Sequence, residues 1–158
     1  MHFPGNFNEA SYGGKPGILS VSSAWLMKDA FKVLHKLANG QSYDLTLEAT
    51  HHGPCLNKPS IFIEIGSNEE QWKNEEAGAI IAKTIIAAIK NYGKNKYKTA
   101  VGFGGSHYCS GFNKIELESD IALSHISPKY YVNIITTEMI KQMTEKTFEK
   151  IDFALIDW

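Results

Sequence analysis

At 158 residues the chain has the size of one domain with its own core, and 43% hydrophobic against 21% charged residues excludes a disordered polymer. The net charge of −1 excludes wholesale electrostatic capture of nucleic acid; all 16 basic residues are lysines, so bidentate guanidinium contacts to phosphate or base edges are ruled out. The start of the chain reads neither as a basic region nor as an apolar stretch, and the longest apolar region, 77–89, is interrupted by Lys83 and too short to span a bilayer. A cytoplasmic protein with no membrane partner and no DNA partner is expected.

In chain order, residues 1–16 are rich in Gly, Pro and Asn and read as a loop. A short strand is expected over 18–21, then a helix capped by Ser23, with Met27, Ala30, Phe31, Leu34, Leu37 and Ala38 at helical spacing and Asn39-Gly40 as its stop. Tyr43, Leu45 and Leu47 alternate with Asp44, Thr46 and Glu48, which predicts a strand over 43–48; a second is predicted over 60–65. Asn74 caps the longest helix, which buries Ala77, Ile80, Ile81, Thr84, Ile85, Ala88 and Ile89. A strand over 99–103, a helix over 137–148 and a closing strand over 151–156 follow, while 106–133 carries no clear period.

Strands alternating with amphipathic helices predict a single α/β domain over 1–158, a layered mixed or parallel sheet flanked by helices. In open α/β sheets, ligands bind beyond the carboxyl ends of the strands. Glu48, His51 and His52, then Glu64 and Ser67, then His107 and Tyr108 each follow an expected strand. One crevice would therefore gather a carboxylate pair, three histidines and several backbone N–H groups.

The chemistry in that crevice is hydrolytic or metal-based. Glu48 is a candidate general base, a carboxylate that partial burial would tune upwards, with a backbone-capping role as the alternative. Adjacent side chains in extended backbone point apart, so His51 and His52 are expected to face different ways, one of them structural. Gly102-Phe103-Gly104-Gly105-Ser106-His107 fails the dinucleotide fingerprint, because its third glycine falls at His107. Gly104 and Gly105 instead allow close backbone approach to an oxyanion or phosphate, or form a tight packing turn. Ser106 and Ser110 lack a nucleophile elbow. Cys55 and Cys109 are expected as free thiols, and neither has a familiar zinc spacing. Lys90, Lys94, Lys96 and Lys98 read as a solvated helix end and loop.

Five blocks occur in register: His2-Phe3-Pro4-Gly5-Asn6, Glu48-Ala49-Thr50-His51-His52-Gly53-Pro54, Glu64-Ile65-Gly66-Ser67 with Trp72, Gly104-Gly105-Ser106-His107-Tyr108 and His125-Ile126-Ser127-Pro128-Lys129-Tyr130. Together they resemble the archaeal and plant type of D-aminoacyl-tRNA deacylase, from residue 2 to Trp158. The resemblance implies a phosphorylase- or peptidyl-tRNA hydrolase-like α/β fold, a D-aminoacyl-tRNA substrate and hydrolysis of its ester in chiral proofreading. It also implies Zn²⁺. Carried onto this chain, it gives Glu48, His51, His52, Glu64, His107 and His125 as site candidates; with the reading of the residues themselves, the catalytic candidates are Glu48, His51, His52, His107 and Lys129, the last to hold a terminal phosphate. The substrate-binding candidates are Gly104, Gly105, Ser106 and Tyr108, and the metal candidates His51, His107, His125 and Glu64. Which of the histidines bind metal and which handle protons stays open. Members of the family usually carry a further segment before the His2 block and continue past the Asp-Trp end, so this chain is expected to lack the N-terminal segment. The alternatives are a non-catalytic tRNA-binding fragment and a metal-dependent hydrolase of another ester or amide.

Overall fold

A computed structural model describes residues 1–10 and 12–157. Three strands form a parallel sheet in the order β2-β1-β3: β1 is Lys98–Gly104, β2 Ile121–Ser127 and β3 Phe153–Asp157. Because all three run the same way, Gly104, Ser127 and Asp157 end at one edge. Among the described residues, six helices accompany the sheet: α1 (Ala24–Leu37), α2 (Glu69–Trp72), α3 (Glu75–Asn91), α4 (Ser110–Glu118), α5 (Lys129–Val132) and α6 (Thr137–Glu145). The α/β expectation is met, and the sheet is parallel.

Consecutive residues of β1 face opposite layers. Ala100 joins Met27, Phe31, Phe112 and Leu123 in one buried cluster, under α1 and α4. Val101 joins Leu19, Met139 and Met143 in the other, under α6. A run buried on both faces is what a central parallel strand requires. Helix α1 also leans on α3. The Lys28 ammonium is fully buried and donates to the carbonyls of Glu116 and Ile121, which ties α1 to α4 and β2. Burial pushes the Glu116 carboxyl up and the Lys28 amine down. No helix among the described residues is long and apolar enough to cross a membrane.

The helices begin where the caps predict, with one substitution of partner. Asn74 accepts from the Ala77 N–H at 3.0 Å and so starts α3. Ser23 makes no side-chain cap; it donates to Glu149 at 2.7 Å, and the Glu149 carboxylate accepts from Ala24 N–H at 2.9 Å. The start of α1 is therefore capped from a point 125 residues away in sequence.

The strands expected over 18–21, 43–48 and 60–65 are extended segments outside the sheet. Their alternation is real, with Leu47 and Ala49 buried on the core side. They form no ladder, because successive backbone groups go to different neighbours. Glu48 N–H donates to Met1 O, Ala49 N–H to His107 O and Thr50 N–H to Ile126 O, at 2.8, 2.8 and 3.0 Å. Isolated bridges join His2 to Phe62, Pro4 to His51 and Gly5 to Leu19. The unassigned stretch 106–133 holds α4, β2 and α5. Strand β2 hides its period because six of its seven residues are buried.

Candidate active site

The irregular bridges bring the ends of four segments together beyond the carboxyl edge of the sheet. Thr50 is the anchor. Its N–H donates to Ile126 O, its hydroxyl oxygen accepts from Ile126 N–H at 3.1 Å, and the side chain is buried. The preceding Ala49 is tied to His107 O, so the loop after residue 48 and the turn after β1 are joined backbone to backbone. The N–H of Lys129 donates to Gly105 O at 3.0 Å and joins α5 to the same turn. Tyr130 then places its hydroxyl 3.3 Å from His107 Nδ1.

One carboxylate oxygen is the hub of the cluster. Glu48 Oε2 lies 3.4 Å from His2 Nδ1, 3.7 Å from His51 Nε2 and 3.9 Å from His107 Nε2. A Glu64 oxygen lies 3.6 Å from His2 Nδ1. The rings of His2 and His51 are 3.9 Å apart between centroids, those of His51 and His107 4.7 Å, and those of His51 and His52 4.6 Å. The expectation that His51 and His52 face apart fails, since their backbone is not extended. His52 has φ of +39°, in the left-handed region, which turns its ring back beside His51.

Hydrogen bonds define the tautomers. A carbonyl can only accept, so His51 carries its proton on Nδ1, donated to Ala49 O at 2.8 Å, and presents an Nε2 lone pair to Glu48. His52 does the same towards its own neighbour, Gly53 O, at 2.5 Å. His51 Nε2 and Glu48 Oε2 thus face each other without a proton between them, a gap suited to a water or a cation. Burial holds His51 below its ordinary range and, with still greater effect, lowers His2 to about 4. The adjacent His2 imidazole holds Glu48 down to about 2, against the opposing cost of burial. A carboxylate tuned upwards as general base is therefore not what stands here. Glu48 is a fixed anion, and the proton acceptor of suitable strength beside it is a neutral imidazole.

His2 is absent from the expected site residues, although it opens a block that carries the family resemblance. It is fully buried, stacked on Phe62 at 5.0 Å, and neither ring nitrogen makes a well-directed hydrogen bond. Buried polar atoms in that condition are rare and costly. Among the described residues, three groups have the spacing of metal ligands: His2 with His51 and His52, Glu48 with His51 and His107, and His2 with Glu48 and Glu64, each with donor atoms within 4.8 Å of one another. Of the expected metal set, His51, His107 and Glu64 lie in these groups.

His125 does not. It sits inside β2, fully buried, with Nε2–H donating to Ser20 O at 3.1 Å and the Thr50 hydroxyl 3.2 Å from Nδ1. Both nitrogens are used, and burial lowers its pKa to about 3. It positions the Thr50 anchor and has no lone pair to offer an ion.

Gly104 and Gly105 form the packing turn, not an open cradle. A Cβ on Gly104 would lie 1.9 Å from Asp157 O, and Gly104 has φ of +98°, so only glycine closes β1 against β3 there. The Gly105 N–H is committed to Asp157 O at 3.1 Å, which removes it as an oxyanion donor. Ser106 and Tyr108 are exposed on the same turn, and Lys129 is exposed at the start of α5. Cys55 and Cys109 are both free thiols, and burial pushes Cys109 up to about 12.

A family model for D-aminoacyl-tRNA deacylase matches residues 1–158. A D-aminoacyl-tRNA deacylase of Thermococcus onnurineus is 44% identical over 158 residues, covering 99% of this chain and 57% of the relative. One of Methanosarcina barkeri is 42% identical over 161 residues, covering 99% and 51%. The crystal structure of a conserved protein of unknown function superposes with a TM-score of 0.92 at 34% identity, covering 99% of this chain and 55% of that one. The chain thus spans little more than half the length of the curated relatives it matches. On the full-length family match and these identities, the chain belongs to the D-aminoacyl-tRNA deacylase family.

Proposed function

We propose that the chain hydrolyses the ester between a D-amino acid and the 3′ end of tRNA, with the cluster around Glu48 as its active site. The observation that carries this reading is the unprotonated gap between His51 Nε2 and Glu48 Oε2, bordered by His107 Nε2. A water there can donate one hydrogen to each acceptor. His51 takes the proton as the water oxygen attacks the ester carbonyl carbon, and Glu48 stabilises the imidazolium that forms. The tetrahedral intermediate then collapses. The carbon–oxygen bond to the ribose breaks, the imidazolium returns its proton to the departing ribose oxygen, and a D-amino acid and a free tRNA end leave.

The donor set also fits Zn²⁺. Imidazole and carboxylate are its ordinary ligands, and Glu48, His51 and His107 bring three such donor atoms within 4.8 Å of one another. Glu48, His51 and His107 would hold it; His51 has only its Nε2 lone pair to give, so with the ion bound it would be a ligand in place of the proton acceptor, and the ion would supply a water acidified towards pKa ~7 and a polarised carbonyl. Lys129, exposed at the start of α5, is the cation for the terminal nucleotide phosphate.

The test is ester loss from D-tyrosyl-tRNA and L-tyrosyl-tRNA, with and without a chelator. Rapid loss of the D ester alone is the expected result, and sensitivity to the chelator supports the metal. Binding of both tRNAs without loss of either ester, unaffected by His51→Ala, would replace the deacylase with an RNA-binding role.

A further inference from the structure

The cluster has recesses on two sides of different character. On the Glu64 side, a recess of about 280 Å³ is lined mainly by aliphatic groups, among them Ile63, Ile65, Ile80 and Ile81. On the His52 side, a recess of about 230 Å³ is bordered by Phe7, Tyr12, Tyr130 and Tyr131. We propose that the second recess is the seat of the terminal purine base of the tRNA, held between the rings of Tyr130 and Tyr12. This rests on the reading of the cluster as the site of 3′-ester hydrolysis.

An aminoacyl ester on a tRNA end has one half that varies, the side chain, and one that never does, the terminal nucleoside. The invariant half is flat and aromatic, and it calls for π faces set at a fixed distance from the reacting atoms. Tyr130 and Tyr12 are 54% and 93% exposed and border one recess, an arrangement that leaves aromatic faces open to a ligand. The wall on the Tyr130 side is braced. Its hydroxyl meets His107, its ring packs on Tyr131 at 4.8 Å, and Tyr131 packs on Phe7 at 5.7 Å. Among the other lining residues, the Tyr12 ring leans edge-on to His52 at 6.4 Å. A base stacked there would lie beside His51 and His52, which line the same recess. Lys129, the residue before Tyr130, is exposed and placed for the 5′-phosphate of that nucleotide. The aliphatic recess is left for the side chain, whose shape varies between substrates.

The experiment separates this from the activity. Binding of adenosine 5′-monophosphate to the 158-residue chain is followed by NMR without turnover, for the wild type and for Tyr130→Ala, Tyr130→Phe and Tyr12→Ala. Loss of a stacking ring weakens nucleotide binding by about ten-fold, while Tyr130→Phe, which keeps the ring and drops the hydroxyl, stays near wild type. In turnover assays the alanine variants raise KM by the same factor for D-tyrosyl-tRNA and D-alanyl-tRNA. Tyr12→Ala, at an exposed position, guards against a folding defect in Tyr130→Ala. Nucleotide binding indifferent to both tyrosines would overturn the proposal. So would a KM effect confined to one amino acid, which would hand the recess to the side chain. Tyrosine-dependent nucleotide binding without any ester hydrolysis would refute the deacylase and leave the base site standing.

Discussion

His51 and His125 flank the same threonine and have opposite fates. Thr50 precedes His51 in the chain and lies against His125 Nδ1 across the core. His51 lies on the loop after residue 48 and His125 inside β2, yet both stand in the expected metal set. His51 commits one nitrogen to its own backbone and turns the other towards Glu48. His125 spends both on holding neighbouring segments together. What separates a working imidazole from a structural one here is the number of nitrogens left over after the fold has been satisfied. Residue type alone does not distinguish them.

The comparison breaks most sharply at His51. His51→Ala removes the proton acceptor from a partly exposed position, so kcat falls by about 10³-fold while the thermal midpoint barely moves; steady-state kinetics beside calorimetry check both. An equal loss of stability would put His51 in the structural class with His125. Glu48→Gln keeps the shape and removes the charge that stabilises the imidazolium, with kcat expected to fall about 10²-fold. Because Glu48 raises the His51 pKa, its loss also moves the acid limb of the kcat/KM profile to lower pH.

His125→Ala should show the reverse signature. It leaves Ser20 O and Thr50 without their partner and opens a void in the core, at a cost of about 2–4 kcal/mol in denaturant unfolding. Activity per folded molecule suffers only through a loosened Thr50.

The pH dependence of stability sharpens the same division. His2 and His125 are neutral in the fold, at about 4 and about 3, against 6.5 when unfolded, so below pH 6.5 the unfolded chain binds more protons. Stability is full above pH 6.5 and declines as the pH falls towards 4. Urea titrations across that range should show the decline, and His125→Ala should flatten it more than His51→Ala does. The smallest effect belongs to Lys129→Ala: a modest rise in KM and a salt slope of tRNA binding reduced by about 1, with kcat unchanged.

Much of this was legible before folding. Helices α1, α3 and α6 follow their periodicity, because each is a local pattern of its own residues, and α3 takes its expected cap from Asn74 while α1 takes its cap from distant Glu149. The segments over 43–48 and 60–65 are extended, with the expected faces inward, but membership of a sheet depends on a partner in register, and theirs are scattered. Strand β2 was hidden by its own depth, since burial on both faces erases alternation.

The sequence by itself determined the α/β class, the family and the presence of Glu48, His51 and His107 at segment ends, since motif order and amphipathic period are properties of the chain alone. The tertiary structure decided the rest. It brought His2 to Glu48 across 46 positions through the His2–Phe62 bridge, turned His52 beside His51, gave the Gly105 N–H to Asp157 and drew His125 into the core. Each of these depends on which distant backbone group completes a hydrogen bond, and that pairing has no period in the sequence to announce it.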